Sequence, residues 1–288
     1  MSRPARHSGT PDAVKGHESL SRGRFTHSVA EGAQLVPSVE RAVRILLTLA
    51  GETNAATLAS LSQGLGLPRS STLALCNTLQ RAGLLTRDTT KLYRLGPSTL
   101  ELSRAYLAGT NLHGEFQRIC QDLRILPNQT IVLGVRNGID TVYIGQRPGL
   151  MPVGVSYEPG LHLPAHCTAT GKALLSDLDP DTLLELYGGD PSTPLTTLTP
   201  KSINNYTALT TELDDIRELG YSTDDEETTL GMICIGAPIR NMAGTIIGAV
   251  AASMLKAAVG PKAIAEATTE IRRLAHHLST ALGHETGD

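Results

Sequence analysis

Tryptophan is absent from this 288-residue chain and phenylalanine occurs only twice, so aliphatic side chains must fill its cores. No uninterrupted apolar run approaches the roughly 18 residues of a membrane span, and no membrane partner is expected. The first 28 residues, "MSRPARHSGTPDAVKGHESLSRGRFTHS", lack the apolar stretch of a secretory signal, so a cytoplasmic location is the default. Four cysteines, Cys76, Cys120, Cys167 and Cys234, stand far apart with no C-x-x-C pair. That spacing argues against a disulfide framework or a zinc site. Cys167 lies close to His162 and His166, yet metal motifs show paired ligands, and a loop lined by small groups is the simpler reading. No metal or other cofactor is called for. A phosphate-binding loop is missing too. "LPAHCTATGKALLS" (163–176) offers Gly171-Lys172, but His166 stands where the motif needs its first glycine, and Ala173 where it needs a hydroxyl.

What the chain does have is a division of charge. A net charge of −3 hides +2 over residues 1–33, +4 over 34–110 and −9 over the remainder. A basic front and an acidic rear suggest two functions, the first facing a polyanion. Hydrophobic content of 40% allows packed cores, and the length suits one large domain or two ordinary ones.

Residues 1–33 show no periodicity and read as a disordered basic arm. Order begins at "PSVERAVRILLTLAG", with Ser38 as N-cap and Val39, Val43, Leu46, Leu47 and Ala50 at helical spacing. A short helix follows Thr57 and ends at Gly64 or Gly66. The next, "LPRSSTLALCNTLQRAGLL", carries Thr72, Leu75, Cys76 and Leu79 as an i, i+3, i+4, i+7 stripe, stopped by Gly83. Two helices about a Gly/Pro turn form a helix-turn-helix candidate. "LLTRDTTKLYRLG" then reads as two strands joined by a polar turn at Asp88 to Lys91, which is a wing. Bundles of this outline also serve as plain interaction modules; the wing and the cations Arg69, Arg87, Lys91 and Arg94 favour DNA.

After a helical segment at 97–112, an amphipathic stretch leads to two strands hinged at Asn137-Gly138, a hairpin signal. A further strand is expected in "MPVGVSYEPG" (151–160). Helices follow in "DPDTLLELYG" and "YTALTTELDDIRELG". "MICIGAPIRNMAGTIIGAVAASM" reads as two strands about Gly244, and residues 262–282 as a closing helix. Mixed elements of this kind give an α+β domain of roughly 170 residues.

With these pieces in place, the chain from Val36 to Leu282 resembles the IclR family of bacterial transcription regulators. The resemblance rests on "LASLSQGLGLPRSS", on "YRLG" at 93–96, on "LPAHCTATGKALLS" and on "GYSTDDEETTLGMICIGAPIRNMAGTIIGA", in order and at family spacing. It implies a mixed α/β chain: a winged helix-turn-helix at 34–96, a linker helix at 97–112 and a GAF-like α+β effector domain at 113–288. It also implies a dimer or tetramer acting on pseudo-palindromic double-stranded operator DNA, with a small-molecule carboxylate as effector.

The apolar stripe should anchor the recognition helix, turning Arg69, Ser70, Ser71, Leu73, Ala74 and Asn77 outward, with Arg69 to Ser71 at the end that enters the major groove. Many family members are polar where this chain has Leu73 and Ala74; the alternative for Leu73 is a solvent or partner contact. In the effector half, the resemblance assigns the backbone N–H groups at Ala169-Thr170 to the ligand carboxylate, at the positive end of a helix beginning near Gly171. Lys172 points outward or pairs with an acidic neighbour. Pro152 and Val155 match an apolar wall, and Asp224, Cys234, Ala251 and Ser253 complete the site. Asp224 is expected to hold a hydrogen bond in the pocket; the rest of "DDEE" (224–227) reads as a solvated acidic turn. Alanine at 251, where relatives can carry a hydroxyl, points to a bulkier or less hydroxylated acid than glyoxylate or pyruvate, an aromatic one included. Two other readings stand: a small-molecule enzyme using Cys234 or His166, and a regulator that answers a partner protein through a vestigial pocket.

Leu73 and Ala74 cannot make the bidentate arginine–guanine contact but can pack on thymine methyls. An operator substitution scan should therefore find the positions under this helix more sensitive to loss of thymine than of guanine. Guanine positions dominating the half-site would refute this.

Overall fold

The computed structural model describes residues 36–51, 54–109, 111–122, 126–150 and 157–284. The basic arm at 1–33, and Pro152 and Val155, lie outside the described residues. The chain divides into two compact units at Glu101/Leu102.

The first unit holds α1 (Pro37–Leu49), α2 (Leu58–Leu65), α3 (Arg69–Arg81) and a two-stranded antiparallel ribbon, β1 (Leu85–Arg87) with β2 (Tyr93–Leu95). Ser38 is not the N-cap of α1. Pro37 takes the first helical position, where its missing N–H costs nothing, and Val36 caps without a side-chain bond. Thr57 caps α2 by accepting from Ser60 N at 3.1 Å, and Gly66, left-handed at φ 64°, ends it. That glycine makes the turn into α3. Ile45, Leu49, Leu61, Cys76, Leu79, Leu85 and Tyr93 form the core, each removed from water at a gain of roughly 1.5–3 kcal/mol for the larger side chains. Ala56 exchanges both backbone hydrogen bonds with Tyr93, at 3.0 and 2.8 Å, which fastens the wing to the segment before α2.

The boundary between the units falls inside α4 (Ser98–Gly109), and α5 (Asn111–Asp122) follows. The segment expected as one linker helix at 97–112 thus spans α4 and the start of α5, whose Leu112 and Phe116 belong to the second core.

In the second unit, six strands among the described residues form an antiparallel sheet. They are β3 (Thr130–Asn137), β4 (Asp140–Arg147), β5 (His162–Pro164), β6 (Ser222–Asp225), β7 (Met232–Arg240) and β8 (Ile246–Leu255), in the order β5-β4-β3-β8-β7-β6. Side chains alternate between its faces. Ile131, Leu133, Ile233, Ile235, Val250 and Ala252 pack with α5 and with α9 (Pro261–Ala281) through Phe116, Ile271, Leu274 and Leu278. Val132, Cys234 and Ala251 emerge on the opposite face, against α6 (Ala169–Leu175). Both faces being covered, the strands read as continuous apolar runs. Helices α7 (Pro180–Leu186) and α8 (Tyr206–Leu219), capped by Asp179 and Asn205, pack on the α6 side around Ala165, Leu175, Leu209 and Leu213. The helix–sheet–helix layering is the mixed α+β effector architecture expected. No strand lies within 157–160, where the backbone turns instead. No described helix is long and apolar enough to cross a membrane.

Gly171 sits where a Cβ would lie 2.2 Å from the Ala165 carbonyl oxygen, whereas one at Gly114 in α5 would meet nothing within 4 Å. Gly171→Ala should cost about 1–3 kcal/mol in urea unfolding, and Gly114→Ala should stabilise by about 0.5–1 kcal/mol. Equal effects from the two substitutions would show that this close approach is not a constraint.

Candidate functional site

Along α3, Thr72, Cys76 and Leu79 are buried and Leu75 packs on the core; Arg69, Ser70, Ser71, Leu73, Ala74 and Asn77 are exposed. The exposed face begins at the helix N-terminus with one cation and two hydroxyls. Arg87 on β1 lies over the Tyr93 ring at 5.1 Å, which fixes its guanidinium beside the wing. Lys91 is exposed at the wing turn in left-handed conformation, φ 67°. The turn itself is tied by Asp88, whose Oδ1 accepts from Thr90 N at 2.9 Å and Leu92 N at 3.0 Å. Arg94 pairs with that same carboxylate at 3.5 Å.

The effector-half residues gather at the start of α6. Sheet register places Asp224, Cys234 and Ser253 side by side on β6, β7 and β8, with Gly236 and Ala251 paired in the adjoining row. Above them the helix begins two residues earlier than expected. Thr168 is the cap: its hydroxyl accepts from Gly171 N at 2.9 Å and its carbonyl from Lys172 N at 2.9 Å. Of the first-turn amides, those of Ala169 and Thr170 are the two left without an intrahelical acceptor. Ser222 Oγ donates to Ala169 O at 2.6 Å, tying the helix start to the sheet edge.

Sequence reasoning missed Tyr143 and Tyr157. Both are buried with Val132, Leu163, Ala169, Cys234 and Ala251, and their rings meet edge to face at 5.1 Å. Tyr143 Oη hydrogen-bonds with Thr170 Oγ1 at 3.2 Å, and Tyr157 Oη with Ser253 Oγ at 3.0 Å and, weakly, with Cys234 Sγ at 3.8 Å. Ala251 adds no donor, yet Thr141, Thr168 and Thr170 add a chain of buried hydroxyls beside Tyr143. The site is therefore apolar in its walls and hydroxyl-rich at the helix start. An open groove of about 530 Å³ lies elsewhere, between α8 and β6, and is lined by none of the predicted residues.

Asp224 stands beside Cys234, as expected of a hydrogen-bonding group in the site, and it also organises its own turn. Its oxygens accept from Glu227 N (2.8 Å), Thr228 N (3.2 Å) and Thr228 Oγ1 (2.6 Å), which shapes its own turn; burial nevertheless raises its pKa. The same Thr228 hydroxyl also lies 2.8 Å from Cys167 O and shares its single proton between that carbonyl and the Asp224 carboxyl, so the acidic turn braces the loop before α6. "DDEE" is not wholly solvated, because Asp224 and Glu227 are buried. Lys172 does not point outward. It is fully buried and donates to Glu212 on α8 and to Glu227, the latter at 2.5 Å. Glu227 is held up at about 7, first by burial and then by the carboxylates of Glu212 and Asp224, against the pull of Lys172. A lone buried charge is prohibitive, so each member of this group needs the others.

The enzyme reading fares poorly on geometry. Burial pushes the Cys234 thiol up to about 12, and its polar neighbours are Ser253, Tyr157 and Asp224. His166 is engaged elsewhere: Nε2 donates to Thr196 O at 2.8 Å, Nδ1 faces Tyr187 Oη at 3.3 Å, and burial lowers its pKa. Among the described residues, no group of three His, Cys, Asp or Glu side chains is placed to hold a metal ion.

Comparison with known proteins bears directly on this architecture. The model of the IclR C-terminal domain of bacterial transcriptional regulators matches residues 104–280, and that of the IclR helix-turn-helix domain matches residues 38–89. The chain belongs to the IclR family. It is a ligand-responsive, DNA-binding transcriptional regulator. It is 28% identical over 262 residues to the transcriptional repressor AllR of Klebsiella pneumoniae, covering 91% of this chain and 94% of that one. Among solved structures, the Agobacterium tumefaciens repressor BlcR is 35% identical, with 88% of this chain and 100% of that one covered and a TM-score of 0.57. An IclR homologue from Microbacterium hydrocarbonoxydans, solved with 4-hydroxybenzoate, shares the fold at 21% identity and a TM-score of 0.70, covering 85% of this chain and 98% of that one.

Glu227 supplies a pH test. The folded state holds its proton more tightly than the unfolded chain does, so its stabilising contribution is complete below its ordinary 4.5 and is lost as pH rises through about 7. The Tm of the wild type relative to Glu227→Gln should accordingly fall by at least ~2 °C between pH 5 and pH 8. Parallel profiles would mean that Glu227 ionises normally.

Proposed function

We propose that this regulator senses a carboxylic acid with a bulky, aromatic body and binds operator DNA as a homodimer or tetramer through Arg69, Ser70, Ser71, Leu73, Asn77, Arg87 and Lys91. The observation that carries the effector class is the meeting of α6's first turn with a buried cluster that includes two tyrosine rings. Two amides suit a carboxylate, while Val132, Tyr143 and Ala251 suit a ring more than a two- or three-carbon acid. The Microbacterium homologue with 4-hydroxybenzoate agrees with that chemistry. Self-association is supported by Val36, Val39 and Val43, exposed at 59%, 59% and 38% with helical spacing along one side of α1. No catalytic step is required: the acid favours one arrangement of the effector domains and thereby shifts the population that fits the operator. Cys234 contributes packing, and an enzymatic role is not proposed for it.

The test is binding of the purified protein to its own upstream intergenic DNA across a salt series. Arg69→Ala should weaken binding and, if Arg69 meets a phosphate, flatten the log K against log salt slope by about 0.9. A benzoate-type acid should alter wild-type DNA affinity saturably, whereas pyruvate should not. Tight pyruvate binding with no response to aromatic acids would overturn the effector class, and an unchanged Arg69→Ala would remove that residue from the interface.

A further inference from the structure

Tyr157 occupies the place assigned to the effector. It is 4% exposed, and its ring lies in one cluster with Ala169, Cys234 and Ala251, three of the residues expected to line the ligand. Its hydroxyl bonds a fourth, Ser253, at 3.0 Å. Protein interiors are close-packed, so this ring and the ring of an aromatic acid cannot share the volume. Tyr157 enters from a turn pinned to β4, where Gly160 N donates to Tyr143 O at 2.8 Å and Tyr143 N to Leu161 O at 3.0 Å. The anchor sits on backbone, which leaves the side chain as the part that can give way.

We propose that the Tyr157 phenol is the site's resident occupant and that the effector binds by replacing it. This rests on the effector-site reading above and narrows it. The ligand that best substitutes for a phenol presents a flat ring to the edge of Tyr143 and a hydroxyl to Ser253, with its carboxylate toward Ala169 and Thr170: a para-hydroxylated aromatic acid. The resident phenol also sets a threshold. Measured affinity is the intrinsic affinity reduced by the fraction of molecules in which the recess is vacated, so weak ligands lacking one of these features are rejected.

The experiment is calorimetric titration of full-length wild type, Tyr157→Ala and Tyr157→Phe with 4-hydroxybenzoate and, separately, with p-cresol, the excised side chain without a carboxylate. Tyr157→Ala should bind 4-hydroxybenzoate at least ten-fold more tightly than wild type. Tyr157→Phe, which keeps the ring but loses its bond to Ser253, should bind about three-fold more tightly. p-Cresol should bind Tyr157→Ala and not wild type. Where the acid binds wild type, unchanged or weaker acid binding in the variants would overturn the proposal, since a wall or contact residue would behave that way. So would p-cresol binding wild type and Tyr157→Ala alike, or neither ligand binding any of the proteins. Should Tyr157→Ala not fold, the direction of change in Tyr157→Phe decides alone. If p-cresol binds Tyr157→Ala while the acid binds none of the three, the resident phenol stands and the carboxylate reading falls.

Discussion

The start of α6 lies against the sheet at Gly236, where no side chain of β7 intervenes, and the effector half is arranged around that approach. A Cβ at Gly236 on β7 would fall 2.7 Å from the Ala169 carbonyl oxygen, and one at Gly171 would collide with the Ala165 backbone. Holding a helix so near leaves its first-turn amides within reach of whatever rests on Cys234, Ala251 and Ser253. The same closeness forces the next residue, Lys172, into the interior. Its burial is thus a consequence of where the helix must start, and Glu212 and Glu227 make that burial tolerable.

Charge inside this unit serves as bracing. Asp224 folds its own turn, Thr228 carries that turn to the loop at Cys167, and Glu227 reaches Lys172. The parts of the chain that frame the site are therefore joined by polar groups whose loss leaves a buried charge or acceptor unmet, a penalty larger than the gain from making the bond. Apolar packing decides that the sheet is covered; this network decides how the loop before α6 is held above it.

Elements whose patterning is local could be read from sequence. The Thr72, Leu75, Cys76, Leu79 stripe faces the core because it repeats at helical spacing, and the Asn137-Gly138 and Gly244 turns fall where left-handed glycines are needed, at φ 62° and 78°. Order of motifs was enough to identify the family. The short strands β5 and β6 were not legible: three residues, "HLP", and a polar "STDD" carry no strand signal, and they are extended because β4 and β7 pair with them. Ser38 resembled a cap until Pro37 claimed the helix start. Tyr157 was invisible for a similar reason, since its partners Cys234 and Ser253 lie 77 and 96 positions away. The lysine in "GKALL" gave no hint of its burial either, its carboxylates being 40 and 55 residues distant.

All four thiols are buried, and burial raises each of them, Cys120 to about 11 and Cys167 and Cys234 to about 12. Only the thiolate attacks peroxides and alkylating agents, and at neutral pH these side chains hold almost none of it. Cys76 in α3 and Cys234 on β7, beside Tyr157, are thereby held in the protonated form, the one that attacks oxidants poorly.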